Sequence, residues 1–441
     1  MSTDRHLHLA VITSFSASPH TIGQWRLPRS YQGFDFRRLD YWEHVARALE
    51  RGLFDMLFFA DAYSLHEAYG GSTDAAIRYA VQYPRMDPFT LVPALARATT
   101  HLGFGVTAST TFLPPYWVAR HFASLDHVTE GRVGWNIVTS YSDAEARQFG
   151  LDAIPDHDTR YDRADEYVDL CRALWASWEP EALVFDRAAG IFADPDKVHR
   201  IDHEGEWFRC QGPLHVPPGP QGRPLLIQAG SSPRGLEFCA RHAEVHFALP
   251  GAADDLDGVA AHRDALDEAL VAAGRDPSEV KVLWGLTPIL GRTDDEAEAY
   301  RQEILDHATV EGALVQLSGH LNVDLSTWPL DRPLEELEAS GVRGFVTSRF
   351  RPGETLRQLA RRIGTGVGAH VVGSPATVAD QLEALAEAGR GDGFMFVTTT
   401  LPGSVDDLVE LLVPELQRRG RFRTAYEGTL LRDRFGVAGQ P

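Results

Sequence analysis

Three successive apolar runs in this sequence end in side chains that can do chemistry. Asp61 follows Phe58-Phe59-Ala60, Thr107 follows Phe104-Gly105-Val106, and Asn136 follows Trp135. A carboxyl, a hydroxyl and an amide so placed can grip a bound molecule or handle its protons, although each alone is also what a cap or turn requires. A further run, PLLIQ at 224–228, leads into Ala229-Gly230-Ser231-Ser232-Pro233. Glycine permits a tight turn and proline suits a first helical position. The free N–H groups and positive dipole end of the helix that follows attract an anion such as phosphate, with Ser231 and Ser232 as added donors. The same residues also describe a plain N-cap serine. In DHDTRYDR, His157 and Tyr161 stand four apart on one helix face beside Arg160 and are candidates for one pocket, against the plainer reading of Arg160 and Asp165 as a solvated helix face.

These residues need elements to hold them. Short β-rich runs at 8–13, 54–60, 102–108, 132–138, 224–228, 245–249, 280–290 and 393–398 alternate with stretches of helical period, such as 40–51, 88–99, 117–129 and 160–178. Alternation of this kind implies a parallel sheet, and about eight units favour a closed (β/α)8 TIM barrel over an open doubly wound sheet. The expectation is one domain over 1–441, with insertions near 62–87, 179–223 and 311–372 forming walls or a lid at the end of the barrel where the strands finish. Catalytic groups of such barrels gather there, which is where Asp61, Thr107, Asn136 and the Ser231-Ser232 turn would lie.

Composition narrows the partners. The chain has 441 residues, 44% hydrophobic and 24% charged, with 42 Lys and Arg against 62 Asp and Glu for a net charge of −20. That balance repels phosphodiester backbones, so no nucleic-acid partner is expected. Cys171, Cys210 and Cys239 are too scattered for a disulfide framework or a metal knuckle and are read as buried small hydrophobes of a reducing compartment. No secretory leader or membrane-length apolar window occurs, so a soluble, cytoplasmic protein without a membrane partner is expected. GxxxxGK[ST], HExxH and GxSxG are absent, which removes the simplest support for phosphate-loop, zinc-protease and nucleophile-elbow chemistry. His6 and His8 lack a nearby carboxylate pair, so no metal is expected. Gly364-Thr365-Gly366-Val367-Gly368 follows no clear strand and lacks the downstream acid of a dinucleotide site, so it is read as a loop.

The run GVTASTTFLPPYWVARHFASLDHVTEGRVGWNIVTSYSDAEARQFG at 105–150 resembles the bacterial luciferase-like flavin monooxygenases. The likeness is to the branch that holds nitrilotriacetate monooxygenase component A, dibenzothiophene sulfone monooxygenase and the pristinamycin synthase large subunit. It extends to Gln24-Trp25-Arg26, RGLFDMLFFAD, YDRADEYVDLCRALWASWE, PLLIQAGSSPRGLEFCARHAE and LRDRFG, and so covers nearly the whole chain. The resemblance implies a (β/α)8 barrel that binds reduced FMN, receives it from a separate NAD(P)H:flavin reductase, and uses O2 to oxygenate a small molecule through a flavin C4a-(hydro)peroxide. By the same resemblance, flavin contacts fall on Asp61, Thr107, His157, Tyr161 and Ser232, with Ser231 adjacent and Asn136 under the isoalloxazine. A homo-oligomer, dimer or tetramer, is expected.

The sequence departs from this pattern at 16–20, 64–83 and 312–325, the segments expected to choose the substrate. His20 and His320 border them and are the candidate catalytic proton donors or substrate ligands, because histidine titrates near working pH. Phe112, Leu113, Trp117, Tyr63 and Tyr69 are candidates for the shield against water. Two other readings share the fold or the ligand: an F420-dependent dehydrogenase, and a non-catalytic flavin-binding protein.

Overall fold

Runs that are apolar at every position can be buried on both faces, and a parallel barrel is where such strands fit. In the computed structural model, which describes residues 6–18, 20–333, 353–366 and 368–437, eight parallel strands use them. They are β1 (His8–Thr13), β2 (Met56–Phe59), β3 (Gly103–Ser109), β4 (Val133–Val138), β5 (Leu225–Gln228), β6 (Val245–Ala248), β7 (Lys281–Leu290) and β8 (Gly393–Val397). Each pairs with the next, and β8 pairs back with β1, from His8 opposite Gly393 to Ile12 opposite Val397, so the barrel is closed. All eight match the expected runs to within two residues at either end.

The two-residue period of a strand divides the core. Leu9, Val11, Leu57, Phe59, Phe394 and Phe396 face the surrounding helices. Ala10, Ile12, Met56, Phe58, Met395 and Val397 fill the barrel interior. Each large side chain so buried contributes about 1.5–3 kcal/mol. Leu431 and Phe435 of the C-terminal helix Leu431–Phe435 join the interior cluster, and the Phe435 ring stacks on His8 at the start of β1, 4.6 Å between centroids. That end of the barrel is plugged, which leaves the opposite end, where the strands finish, for a cavity.

Four helices matter to that end: α1 (His157–Trp175), α2 (Pro233–His242), α3 (Leu256–Ala272) and α4 (Val310–Leu321). Helix α1 begins three residues earlier and ends three earlier than the expected 160–178. The segment 62–87 follows β2 and reaches the open end, as expected. The segment 179–223 does not. It follows helix α1 and returns to the plugged end, where Gln221 binds Asp126 and the Val133 carbonyl at the start of β4. Its two hairpins, Leu183–Asp186 with Ile191–Ala193 and His203–Glu204 with Arg209–Cys210, contribute nothing to the cavity lining. A connection from helix back to strand lies by construction at the end opposite to the strand tips, which corrects the reading of all three segments as walls. Of the segment 311–372, helix α4 reaches the open end, while 334–352 lies outside the described residues, as does Val367 in the glycine-rich stretch. Cys171 and Cys239 are buried as expected, whereas Cys210, on a hairpin, is only half-buried.

Candidate active site

The strand tips open into a cavity of about 1020 Å3, the size of a large cofactor-plus-ligand pocket. All nine candidate residues singled out from the sequence, His20 and His320 among them, meet at its wall in three groups.

The first group lies on β3 and β4. Adjacent parallel strands bring Thr107 opposite Asn136, and their side chains bond at 2.9 Å, the amide Nδ2 donating to Thr107 Oγ1. Thr107 in turn donates to the Phe59 carbonyl at 2.8 Å. These bonds fix the Asn136 amide so that its Oδ1, buried in the cavity wall, has no partner among the described residues. An acceptor left bare in this way costs roughly 1–3 kcal/mol unless a ligand donates to it.

The second group is the start of helix α2. Ser232 caps it, accepting the Gly235 N–H at 3.0 Å, and its Oγ lies 3.2 Å from His157 Nε2. His157 begins helix α1 and its ring rests 5.0 Å from that of Tyr161, one turn on. A Cβ on Gly230 would collide with the Tyr161 hydroxyl and the Gln228 amide, so a larger residue there would displace both side-chain ends. Burial raises the Tyr161 pKa and keeps it a neutral donor. Arg160 is not solvated helix surface, because its guanidinium donates to the Ser140 and Thr139 carbonyls after β4. Asp165, its companion in that bland reading, is held by Arg234 and His242.

The third group was mostly invisible in the sequence. Asp61, after β2, is 3.7 Å from Arg85, and burial pushes its carboxyl up to about 7 against the pull of that guanidinium. His20 bonds Gln82 through Nδ1 at 2.6 Å, and Gln82 bonds His66 Nε2 at 3.2 Å, so one amide bridges two imidazoles. His66 meets His320 edge to face at 5.8 Å, and Tyr141 meets His320 at 6.3 Å. Burial, with Arg85 adding to it, lowers His20 to about 4, and burial likewise lowers His66 to about 4. This corrects one expectation. His20 does not titrate near neutral pH, because enclosure and a neighbouring cation both disfavour imidazolium. Asp61, pushed up to about 7 by its burial, brings a titration near neutral pH to the cavity wall.

A second correction concerns the shield. None of Tyr63, Tyr69, Phe112, Leu113 and Trp117 lines the cavity. Tyr63, Phe112 and Phe149 pack on one another instead, and Trp117 stacks on His121. The apolar wall is made by Ile12, Phe58, Leu65, Val81, Ile137 and Leu249. His66, Gln82 and Arg85 carried no local signal beyond lying after β2. The segment read as substrate-choosing, 64–83, holds the first two and stops short of the third.

A cavity at the strand tips of a closed (β/α)8 barrel, with a bare amide acceptor on one side and a capped helix start on the other, defines a class. The chain belongs to the luciferase-like monooxygenase family, whose model matches residues 12–391, and it is an oxidoreductase of the flavin-dependent monooxygenase type. Among its relatives, dibenzothiophene-sulfone monooxygenase of Rhodococcus erythropolis (strain XP) is 41% identical, with 100% of each chain covered. Nitrilotriacetate monooxygenase component A of Aminobacter aminovorans is 38% identical over 99% of this chain and 98% of its own. In solved structures, DmoA from Hyphomicrobium sulfonivorans superposes with a TM-score of 0.92 at 38% identity, covering 98% of this chain and 93% of that one. A riboflavin lyase crystallised with modified FMN and riboflavin gives a TM-score of 0.90 at 36% identity, covering 98% and 96%. An F420-dependent secondary alcohol dehydrogenase, at 15% identity and a TM-score of 0.60, shares the fold alone.

Proposed function

We propose that the chain is the oxygenase component of a two-component system, taking reduced FMN from a separate NAD(P)H:flavin reductase and transferring one atom of O2 to a small organic substrate. The observation that carries this reading is the buried, unpartnered Asn136 Oδ1 in a large cavity that also holds the start of helix α2. An isoalloxazine presents ring N–H groups to such an acceptor, and a ribityl phosphate suits the Ser231-Ser232 turn. Ser231, Ser232, His157 and Tyr161 would hold the phosphate end, and Asp61, Thr107 and Asn136 the ring. Bound reduced FMN supplies the electrons for oxygen activation.

The protein supplies the rest. Ile137, Leu65 and Val81 keep water from the reacting centre. Asp61, with its carboxyl near 7, can give and recover a proton at working pH. His20 stays neutral and presents Nε2 as a hydrogen-bonding group, with Gln82 holding its other nitrogen. His320 stands beside His66 at the same wall. The catalytic contribution of His20 is thus positioning and hydrogen bonding, not charge. We also read the chain as one domain of a cytoplasmic homo-oligomer. The exposed apolar hairpin residues Phe185 and Phe192 support association, and the lack of a membrane-length apolar helix among the described residues fits that reading.

The test is turnover under 18O2 with FMN, NADH and a flavin reductase against a panel of sulfones, aminopolycarboxylates, alkanes and cyclic imines. Product gaining one labelled oxygen per reduced flavin is expected. Product formed without label, or only with F420, would overturn the proposal.

A further inference from the structure

One cavity residue has a charge that neither the fold nor the flavin reading uses. Arg85 is 10% exposed, lines the cavity, and sits on the irregular segment that follows β2. That segment is tightly held. The Ala17 N–H donates to the Pro84 carbonyl at 3.0 Å and the Met86 N–H to the Phe15 carbonyl at 2.7 Å, which ties Arg85 to the loop after β1. Gln82 adopts the left-handed region at φ 54°, a conformation that costs of order 1–3 kcal/mol outside glycine and persists where surrounding contacts impose it. The result is a fixed strip presenting Gln82, and through it His20, next to Arg85.

The guanidinium is poorly matched there. Its Nη2 reaches the Gln82 carbonyl at 3.4 Å, its Nη1 stands 3.7 Å from Asp61, beyond hydrogen-bond length, and its buried Nε has no partner among the described residues. The other groups that face it do not complete the pairing. Glu145 accepts the Tyr63 N–H at 3.0 Å, and Asp87 caps the helix Pro88–Ala98. Tyr141, His20 and His66 are neutral at pH 7, and burial raises both Asp61 and Glu145 toward their protonated forms. A buried arginine with an open Nε and a half-protonated neighbour is an anion receptor by its chemistry, because a planar carboxylate or a sulfonate offers the paired oxygens that its fork matches. His20 Nε2, also buried and without a partner among the described residues, faces the same cavity.

We propose that Arg85, assisted by His20 Nε2, receives a carboxylate or sulfonate of the substrate, so that the substrate is an apolar molecule carrying one such anionic group. This rests on the oxygenase reading for what happens to the substrate but not for how it binds. Leu65 and Val81, which directly precede His66 and Gln82 in sequence and line the same cavity, suit the apolar body of such a molecule. The anionic end anchors, and the carbon or sulfur to be oxygenated is set at a fixed distance from it.

The test compares three probes of one shape: biphenyl-2-carboxylate, biphenyl-2-sulfonate and 2-methylbiphenyl. Each is titrated anaerobically into the protein, with and without reduced FMN, and followed by tryptophan fluorescence. Both anions are expected to bind the wild type at least about tenfold more tightly than the neutral probe. Arg85→Gln should erase that preference and Arg85→Lys retain part of it, with reduced-FMN affinity unchanged in both. Equal binding of the three probes by the wild type, which needs no variant to fold, would overturn the proposal, as would a preference that survives Arg85→Gln. Loss of FMN binding in Arg85→Gln would assign the residue to the cofactor and overturn it too. Anion preference in a protein that binds no FMN would leave this inference standing and defeat the oxygenase reading instead.

Discussion

At the scale of single residues, the group with the most consequence is Asp61. Burial raises its pKa from 3.8 to about 7. Between those values the folded chain holds a proton that the unfolded chain has released, so the folded state loses stability as pH rises through this window. Ionised Asp61 therefore costs the fold roughly 2–4 kcal/mol above pH 7, and Asp61→Asn should remove most of that cost. Urea denaturation of both proteins from pH 5 to pH 8 is the measurement: the variant should gain on the wild type steadily as pH rises. Parallel curves would show that Asp61 is not held protonated. Asp61, Thr107 and Asn136 were legible in the sequence because each closes an apolar run, and a strand tip in a barrel has only one place to be. That Asp61 and not His20 titrates near pH 7 was not legible, since burial and the approach of Arg85 come from segments far apart in the chain.

At the scale of elements, the start of helix α2 was legible for the same local reason: Gly-Ser-Ser-Pro specifies a turn, a cap and a first helical residue in order. The cap and anion readings of Ser232 are compatible, because the hydroxyl accepts the Gly235 N–H through a lone pair and keeps its own hydrogen for a ligand or for His157. Ser232→Ala should then weaken reduced FMN by roughly 1.5–3 kcal/mol, the range for hydrogen bonds to charged groups, while barely changing reduced riboflavin. Anaerobic calorimetry on the two ligands checks this, and an equal loss for both would place the phosphate elsewhere. The segment that brings Gln82 and Arg85 to the cavity was not legible. It has no hydrophobic period, contains the left-handed residues Ala80 and Gln82, and takes its position from backbone bonds to Phe15 and Ala17. The hairpins of 179–223 were misplaced for a related reason, since their length suggested a lid and their position after a helix, not a strand, sent them to the other end.

At the scale of the whole molecule, eight apolar runs sufficed to foresee a closed barrel, because continuous hydrophobic strands must be covered on both faces and only a few architectures do this. The same barrel also serves F420-dependent enzymes, so the fold cannot separate the two cofactors, and the site must. Here the site pairs a bare Asn136 acceptor with a serine-capped helix start, and the proposal of reduced FMN rests on that pair. The most direct measurement is an anaerobic titration of the protein with reduced FMN, and in parallel with reduced F420, followed by tryptophan fluorescence, for which Trp284 in the cavity wall is the reporter. Saturable one-to-one binding of reduced FMN, tighter than that of reduced F420, is the expected result. Tight binding of F420 with none of FMN would contradict the assignment at its root.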